Sequence, residues 1–413
     1  MTAPLLLAAI SVVILVQVGI GIAIAFWRLK HREAAPLLIS SDEAAATAKG
    51  AWAGWREFRV ESDAFEDHTR AQRSLILAPV DGQPLPDFAP GQYLTFSLDL
   101  AASPKEPKRT IVRCYSLSDQ PNPKTYRITV KRMPAPSTRP DLPAGAASNF
   151  IHDAVHLGDV LKVKAPAGKF VCETTSDVPA VFIAGGIGVT PMISMISRSL
   201  AHQPERRLHL FYGVKNSGDH AFRALFERLA QSHPAFLFGA VFSAPSPDDV
   251  EGRDFQHAGH IDLALLKRVL PHGRHLFYVC GPPAMMTALV PGLEEWGVPS
   301  TDIHFESFGP ASSRYALPGT SAVRAPLPKA LDVHFRKSRR TVAWTGEDSS
   351  LLDFAERHGI SVESGCRGGS CGACETRLVS GEVRYDSKPS IDPPSGTCLP
   401  CIATPVSNLV LEA

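Results

Sequence analysis

The stretch Ala180-Val181-Phe182-Ile183-Ala184-Gly185-Gly186-Ile187-Gly188-Val189-Thr190-Pro191 joins an unbroken apolar run to a glycine loop, and an apolar helical pattern follows from Met192 to Leu200. An apolar run without alternation is the pattern of a strand buried on both faces, as in parallel α/β sheets. Glycines at the strand's end let backbone N–H groups approach an anion at the start of a helix, where the aligned peptide dipoles favour negative charge. The stretch therefore predicts an α/β nucleotide-binding domain, placed at residues 176–310, with Gly185, Gly186, Gly188 and Thr190 around phosphate. Its G-G-x-G spacing differs from the G-x-G-x-x-G dinucleotide fingerprint. His209 to Lys215 and Leu276 to Pro283 read as further strands of the same sheet.

Upstream, the patterning changes. Trp55 to Val60, Arg73 to Leu77, Gly91 to Phe96 and Tyr126 to Lys131 are short alternating runs broken by proline and glycine, the signature of an antiparallel β-barrel, placed at residues 55–175. Within it stand Arg113-Cys114-Tyr115-Ser116-Leu117-Ser118, then Val130-Lys131-Arg132, then Gly145-Ala146-Ala147-Ser148-Asn149-Phe150-Ile151-His152.

Downstream, Ala311 to Pro328 is rich in Pro, Ser, Gly and Ala and reads as a linker (311–328) to a last domain at 329–413. That domain opens with strands around Val333-His334-Phe335 and Thr341 to Trp344 and a helix from Ser350 to His358. It then carries Ser364-Gly365-Cys366-Arg367-Gly368-Gly369-Ser370-Cys371-Gly372-Ala373-Cys374. Three thiols in a glycine-rich C-x4-C-x2-C loop suit an iron–sulfur cluster, which needs a fourth ligand from Cys398 or Cys401. Zinc is the alternative, although it usually takes paired C-x2-C knuckles. A disulfide staple would require an oxidising compartment.

The N-terminus is not globular. Leu5 to Trp27 holds 23 residues without a charge, interrupted only by polar Ser11 and Gln17. At about 1.5 Å per residue such a helix is roughly 35 Å long, enough to cross a bilayer. Arg28, Lys30, His31 and Arg32 follow, so the positive-inside bias puts the remaining chain on the cytoplasmic side of a single-pass segment in the cell membrane. The anchor is placed at residues 1–30 and a tether at 31–54; a cleaved signal peptide is the rival reading. The formal net charge of +1, from 42 basic and 41 acidic residues, with no basic run interleaved with aromatics, argues against a nucleic-acid partner.

Taken together, residues 55 to 413 resemble the ferredoxin-NADP reductase superfamily. Arg113-x-Tyr115-Ser116 resembles its flavin motif and Cys280-Gly281-Pro282 its nicotinamide turn. Ile303 to Pro310 resembles the end of flavohaemoglobin-type reductase domains, and the cysteine loop is similar to that of plant-type [2Fe-2S] ferredoxins. The order flavin, nucleotide, cluster resembles phthalate dioxygenase reductase and the reductase partner of hybrid cluster proteins. The implied fold is multidomain: the transmembrane helix, the antiparallel β-barrel flavin domain, the parallel-sheet α/β domain and an α+β β-grasp ferredoxin domain.

The resemblance also implies residue roles. Tyr115 packs on the isoalloxazine, Ser116 hydrogen-bonds near its reactive nitrogen, and Arg113 pairs with flavin phosphate. Leu117, Val130, Lys131, Gly145, Ser148 and Asn149 complete the flavin seat. Lys215 and Ser243 meet the dinucleotide, Cys280, Gly281 and Pro282 reach the nicotinamide, and Glu306 and Phe308 lie over the rings. Tyr115, Ser116, Cys280 and Glu306 form the implied catalytic set. Cys366, Cys371, Cys374 and Cys401 are the implied cluster ligands, because Cys401-Ile402-Ala403-Thr404-Pro405 resembles the family's last-ligand segment. FAD is the expected flavin, with FMN the alternative. NADH is the expected reductant, because alanine follows Ser243 where NADP-preferring relatives tend to carry arginine; Lys215 keeps NADPH open. The expected function is a membrane-anchored NADH:acceptor reductase whose partner is an oxygenase, a haem protein or quinone. A membrane-tethered redox sensor or scaffold that binds nucleotide and cluster without turnover is the alternative.

Overall fold

The computed structural model describes residues 51–100, 109–135, 144–306, 308, 330–365, 367, 369, 372–385, 389 and 393–413. The expected membrane segment, most of the tether, the 311–328 linker, Cys366 and Cys371 lie outside the described residues. Among the described residues no helix is long and apolar enough to cross a membrane.

The alternating runs of the first domain form β1 (Arg56–Phe65), β2 (Gln72–Pro79), β3 (Tyr93–Leu100), β4 (Arg109–Ser116), β5 (Tyr126–Lys131) and β6 (Val160–Ala167), with α1 (Ala146–Asp153) between β5 and β6. They pair antiparallel in the order β4-β3-β6-β1-β2-β5. The two edges meet where Leu117, just past β4, bridges Ile128 on β5, which closes the sheet into a barrel. Alternate residues fill the interior, with Phe58, Leu75, Leu94, Phe96, Ile128 and Val163 fully buried. The strand foreseen from Gly91 starts instead at Tyr93. Gly91 sits at φ +107°, and a Cβ there would lie 2.1 Å from the Phe170 carbonyl oxygen.

Arg73 anchors α1. Its Nη1 donates to the carbonyls of Ile151 (2.7 Å) and Val155 (2.9 Å) at the end of the helix, and its Nε to Asp63 (2.8 Å). A cation there satisfies carbonyls that the helix leaves unpaired.

The second domain contains β7 (Ala180–Gly185), α2 (Val189–His202), β8 (Leu208–Val214), α3 (Arg223–Ser232), β9 (Phe236–Phe242), β10 (His257–Ala258), α4 (Leu263–Val269), β11 (Leu276–Cys280), α5 (Pro283–Glu295) and β12 (Ile303–Glu306). All pairings are parallel, in the order β10-β9-β8-β7-β11-β12. Every residue of β7 is buried, as an unbroken apolar run requires. Strand order reverses between β7 and β11, and ligands bind such sheets at the carboxyl edge of that crevice. The barrel is fastened to this domain by Gly91 N–H donating to Ser194 Oγ (2.9 Å), Arg198 to Asp87 (2.9 Å) and Gln72 Nε2 to the Asp219 carbonyl (3.1 Å).

The third domain is an α+β unit of β13 (Leu331–Phe335), β14 (Arg340–Trp344), α6 (Leu351–Arg357), β15 (Thr376–Ser380), β16 (Val383–Tyr385), β17 (Thr397–Cys398), β18 (Ala403–Pro405) and β19 (Leu409–Leu411). Its main sheet runs β14-β13-β19-β15-β17. Ser350 caps α6 by accepting from the Asp353 N–H (3.1 Å), a contact whose loss typically costs about 1 kcal/mol.

Two histidines are buried uncharged. His220 is 4% exposed among Tyr212, Phe238 and Phe242, and His209 is 3% exposed beside His275. Burial lowers both to about 4, helped by the nearby charge of Arg223 at His220 and by His275 at His209. A histidine pKa depressed in the folded state contributes stability that is complete above about pH 6.5 and lost as pH falls toward 4. Unfolding by denaturant at pH 7.5 and pH 5.0 is expected to show up to about 2 kcal/mol lost per histidine. Replacing His220 by Phe should flatten that pH slope; an unchanged slope contradicts the assignment.

Candidate active site

At the carboxyl ends of β7 and β11 two backbone turns press together. A Cβ on Gly188 would lie 2.2 Å from the Cys280 carbonyl oxygen, and one on Gly281 would lie 3.0 Å from the Gly185 nitrogen. Only glycine permits this approach, and it brings the glycine loop and the Cys280-Gly281-Pro282 turn to one point. Thr190 turns inward, its hydroxyl donating to the Ile187 carbonyl (3.0 Å), so it holds the loop's shape. Cys280 is fully buried. Burial raises its thiol well above the usual range and the charge of Glu306, its register partner on β12, adds to the rise. Cys280 is therefore a neutral, compact side chain at the turn rather than a thiolate.

Further along the same edge, Lys215 and Ser243 follow β8 and β9. The Ser243 and Ala244 N–H groups donate to the carbonyls of Val214 (3.0 Å) and Lys215 (2.9 Å), which puts both exposed side chains side by side. Phe308, just past β12, is 40% exposed.

The flavin motif lies on β4 of the barrel and the residues just past it. Tyr115 meets the Phe96 ring edge-on (5.6 Å), and burial raises its phenol pKa far above normal, so it stays protonated. Ser116 is 5% exposed and its hydroxyl has no hydrogen-bond partner among the described residues. A buried hydroxyl without a partner costs on the order of 1–3 kcal/mol. An isoalloxazine edge would relieve that cost.

Lys131, at the end of β5, reaches across to the nucleotide domain, its Nζ 3.8 Å from where a Cβ of Gly186 would stand. Ser148 and Asn149 already hold the loop before α1: Ser148 Oγ accepts from the Met133 N–H (3.2 Å), and Asn149 Nδ2 donates to the Gly145 carbonyl (2.9 Å). These two side chains shape the segment, which leaves charge neutralisation to arginine and lysine. Leu117 and Val130 are buried in the barrel core.

Arg113 carries the clearest signal. Its one hydrogen bond goes to the Val112 carbonyl (2.7 Å), and it has no carboxylate partner among the described residues. Burial lowers its pKa, and the like charge of Arg367 lowers it further. Arg367 belongs to the cysteine loop of the third domain. It adopts φ +56° and makes a forked ion pair with Glu356 on α6 (2.9 Å for one arm). Two guanidinium groups in partly buried ground, one of them unpaired, fit an anionic group such as flavin phosphate. Sequence patterning gave Arg367 no role, although a single charge within a run of glycines was the available signal.

Of the cluster cysteines, Cys374 and Cys401 are described. Both are buried, with sulfurs 3.1 Å apart and no disulfide between them. Cys398 lies in the other core of this domain with Val333, Phe335 and Trp344, and burial pushes its thiol up to about 12. The converging sulfurs and the positive φ of Gly369 and Gly372 suit a small inorganic cluster held by thiolates.

Residues 182–290 match the oxidoreductase NAD-binding domain family and residues 333–406 the 2Fe-2S iron–sulfur cluster binding domain family. The chain is 37% identical over 261 residues to a flavohemoprotein of Rhizobium meliloti, covering 63% of this chain and 62% of that protein. It matches the flavohem-like FAD/NAD binding domain of nitric oxide dioxygenase from Vibrio cholerae at 31% identity and TM-score 0.53, over 62% of this chain and 98% of that one. The chain belongs to the ferredoxin-NADP reductase superfamily. This reductase carries the flavohemoprotein type of FAD/NAD unit with a C-terminal 2Fe-2S domain. That module order is also the one in phthalate dioxygenase reductase, described as modular for electron transfer from pyridine nucleotides to [2Fe-2S]; identity is 26% and TM-score 0.52, over 87% of this chain and 98% of that one.

The close packing at Gly188 yields a direct test. Gly188→Ala should force the glycine loop away from Cys280, raising KM for NADH at least about tenfold, while Gly239→Ala, where only the Leu210 carbonyl oxygen would lie near, at 3.8 Å, leaves it unchanged. Steady-state kinetics with an artificial dye acceptor measure both.

Proposed function

We propose that this oxidoreductase takes hydride from NADH and delivers single electrons through its 2Fe-2S domain to an acceptor protein or quinone at the cytoplasmic face of the membrane. Its cofactors are FAD, NADH and a [2Fe-2S] cluster. When bound, the flavin supplies the exchange between a two-electron hydride and the one-electron steps of a cluster. Support comes from the matches to an NAD-binding oxidoreductase domain and a 2Fe-2S domain, and from Arg113 of the flavin motif, which has no carboxylate ion pair among the described residues and feels the like charge of Arg367 in the cysteine loop.

Around the candidate site the chain's own residues have distinct tasks. Arg113, with Arg367 behind it, neutralises flavin phosphate. Ser116 donates or accepts at the ring edge, and Tyr115 covers the ring as a neutral phenol. The Gly188–Cys280 packing sets the floor on which nicotinamide lies, with Glu306 beside it. Lys215 and Ser243 hold the far end of the dinucleotide. Cys366, Cys371, Cys374 and Cys401 bind the cluster, while Cys398 packs the core. Leu5 to Trp27 anchors the chain, and deleting residues 1–30 should move the protein from the membrane to the soluble fraction on ultracentrifugation.

Adding NADH anaerobically to the full chain should bleach the flavin absorbance and then produce the rhombic electron paramagnetic resonance signal of a reduced [2Fe-2S] cluster. Cys401→Ser should abolish that signal and lower bound iron, whereas Cys398→Ser should retain it. Absence of bleaching with either NADH or NADPH would favour the non-turnover sensor instead.

A further inference from the structure

Four of the five residues in the turn between β13 and β14, Arg336-Lys337-Ser338-Arg339-Arg340, are cationic, and all five are exposed. Elsewhere in this domain Arg357 pairs with Glu347 (2.8 Å), Arg367 with Glu356 (2.9 Å) and Arg377 with Glu412 (3.7 Å). Arg336, Lys337 and Arg339 make no ion pair among the described residues. The turn is nonetheless held in one shape. The Arg336 N–H donates to the Leu411 carbonyl (2.9 Å), the Lys337 N–H to Ala413 (2.7 Å) and the Arg339 N–H to Arg336 (3.2 Å). Arg339 sits at φ +53°, a left-handed conformation that a non-glycine residue rarely adopts.

Sheet register fixes where this charge lies. Phe335 pairs with Leu411 and Leu411 with Leu378, so the turn emerges from the same end of the sheet as the start of β15, two residues after Cys374. Two strand spacings separate them, about 10 Å. From the other side, Arg340 Nη1 donates to the His358 carbonyl (2.5 Å) at the end of α6, the helix whose Glu356 holds Arg367 of the cysteine loop. A fixed, unneutralised cationic edge thus stands beside the exit for electrons.

We propose that the Arg336–Arg340 turn is the docking surface for an acidic electron-acceptor protein. This rests on the proposed role of the 2Fe-2S domain as the electron exit. An acidic face seated on the turn would bring its redox centre beside Cys374 and Cys401. Each encounter passes one electron, reducing the acceptor centre by one and returning the cluster to its oxidised state with no proton moved. A protein is favoured over an anionic lipid surface because the charge is confined to one pinned turn next to the cluster loop, whereas attraction to a lipid surface needs no fixed backbone.

The test uses the full chain with its cofactors and two haem-protein probes of opposite charge, acidic cytochrome b5 and basic cytochrome c. Stopped-flow reduction of the acidic probe should slow about tenfold between low and moderate salt, and Arg336→Glu with Lys337→Glu should slow it about tenfold at low salt while speeding the basic probe. Flavin bleaching and the cluster signal should be unchanged in this variant, which separates a docking defect from a failed internal electron path. Binding of the acidic probe to the oxidised protein, measured by titration calorimetry, should weaken in parallel and tests the surface even without electron flow. Equal binding and equal rates in the variant and the original chain would overturn the proposal. So would a variant that keeps the acidic probe's rate but, when residues 1–30 are deleted from both variant and original chain, no longer sediments with vesicles of phosphatidylcholine and phosphatidylglycerol.

Discussion

Two arginines from different domains set the terms for this molecule. Arg113 stands on the barrel with no carboxylate partner, and Arg367 brings a second guanidinium toward it from the cysteine loop. Like charges in partly desolvated surroundings repel more strongly than in water, and an anion between or beside them is the natural remedy. Glu356 pairs with Arg367 and its charge also reaches Arg113, which itself makes no ion pair among the described residues. The flavin motif and the cysteine loop thus lie close enough for the charge of one to act on the other.

The nucleotide side depends on a steric constraint. Parallel strands buried on both faces deliver two turns to the sheet's switch point, and backbone contact between Gly188 and Cys280 leaves no room for side chains there. Hydride transfer needs its reacting atoms held within a few tenths of an ångström. A floor made of backbone, supported by the buried rows of β7 and β11, supplies that rigidity better than flexible side chains could. Burial keeps Cys280 a thiol and Tyr115 a phenol, so both side chains stay neutral.

Much of this was legible in the sequence because the signals are local. The apolar run before Gly185, the Ser350 cap and the alternating strands of the barrel each encode their element within a few residues. What depended on distant contacts was not legible. Cys398 and Cys401 are three residues apart and equivalent by composition; only a resemblance of Cys401 to Pro405 favoured the second, and the short strand β17 turns Cys398 into the core and leaves Cys401 facing Cys374. Ser148 and Asn149 resembled phosphate ligands, yet their side chains are engaged by Met133 and Gly145. The closing bridge from Leu117 to Ile128 and the approach of Arg367 to Arg113 join segments far apart in the chain, where no periodicity points.

On the proposed reading, electrons pass from flavin to cluster within one molecule. Stopped-flow mixing of the full chain with excess NADH, following flavin and cluster absorbance over a tenfold range of protein concentration, tests it most directly. If the account is right, cluster reduction follows flavin reduction at a rate independent of protein concentration. A rate that rises in proportion to concentration would mean that electrons cross between molecules, and the proposed reading would be wrong.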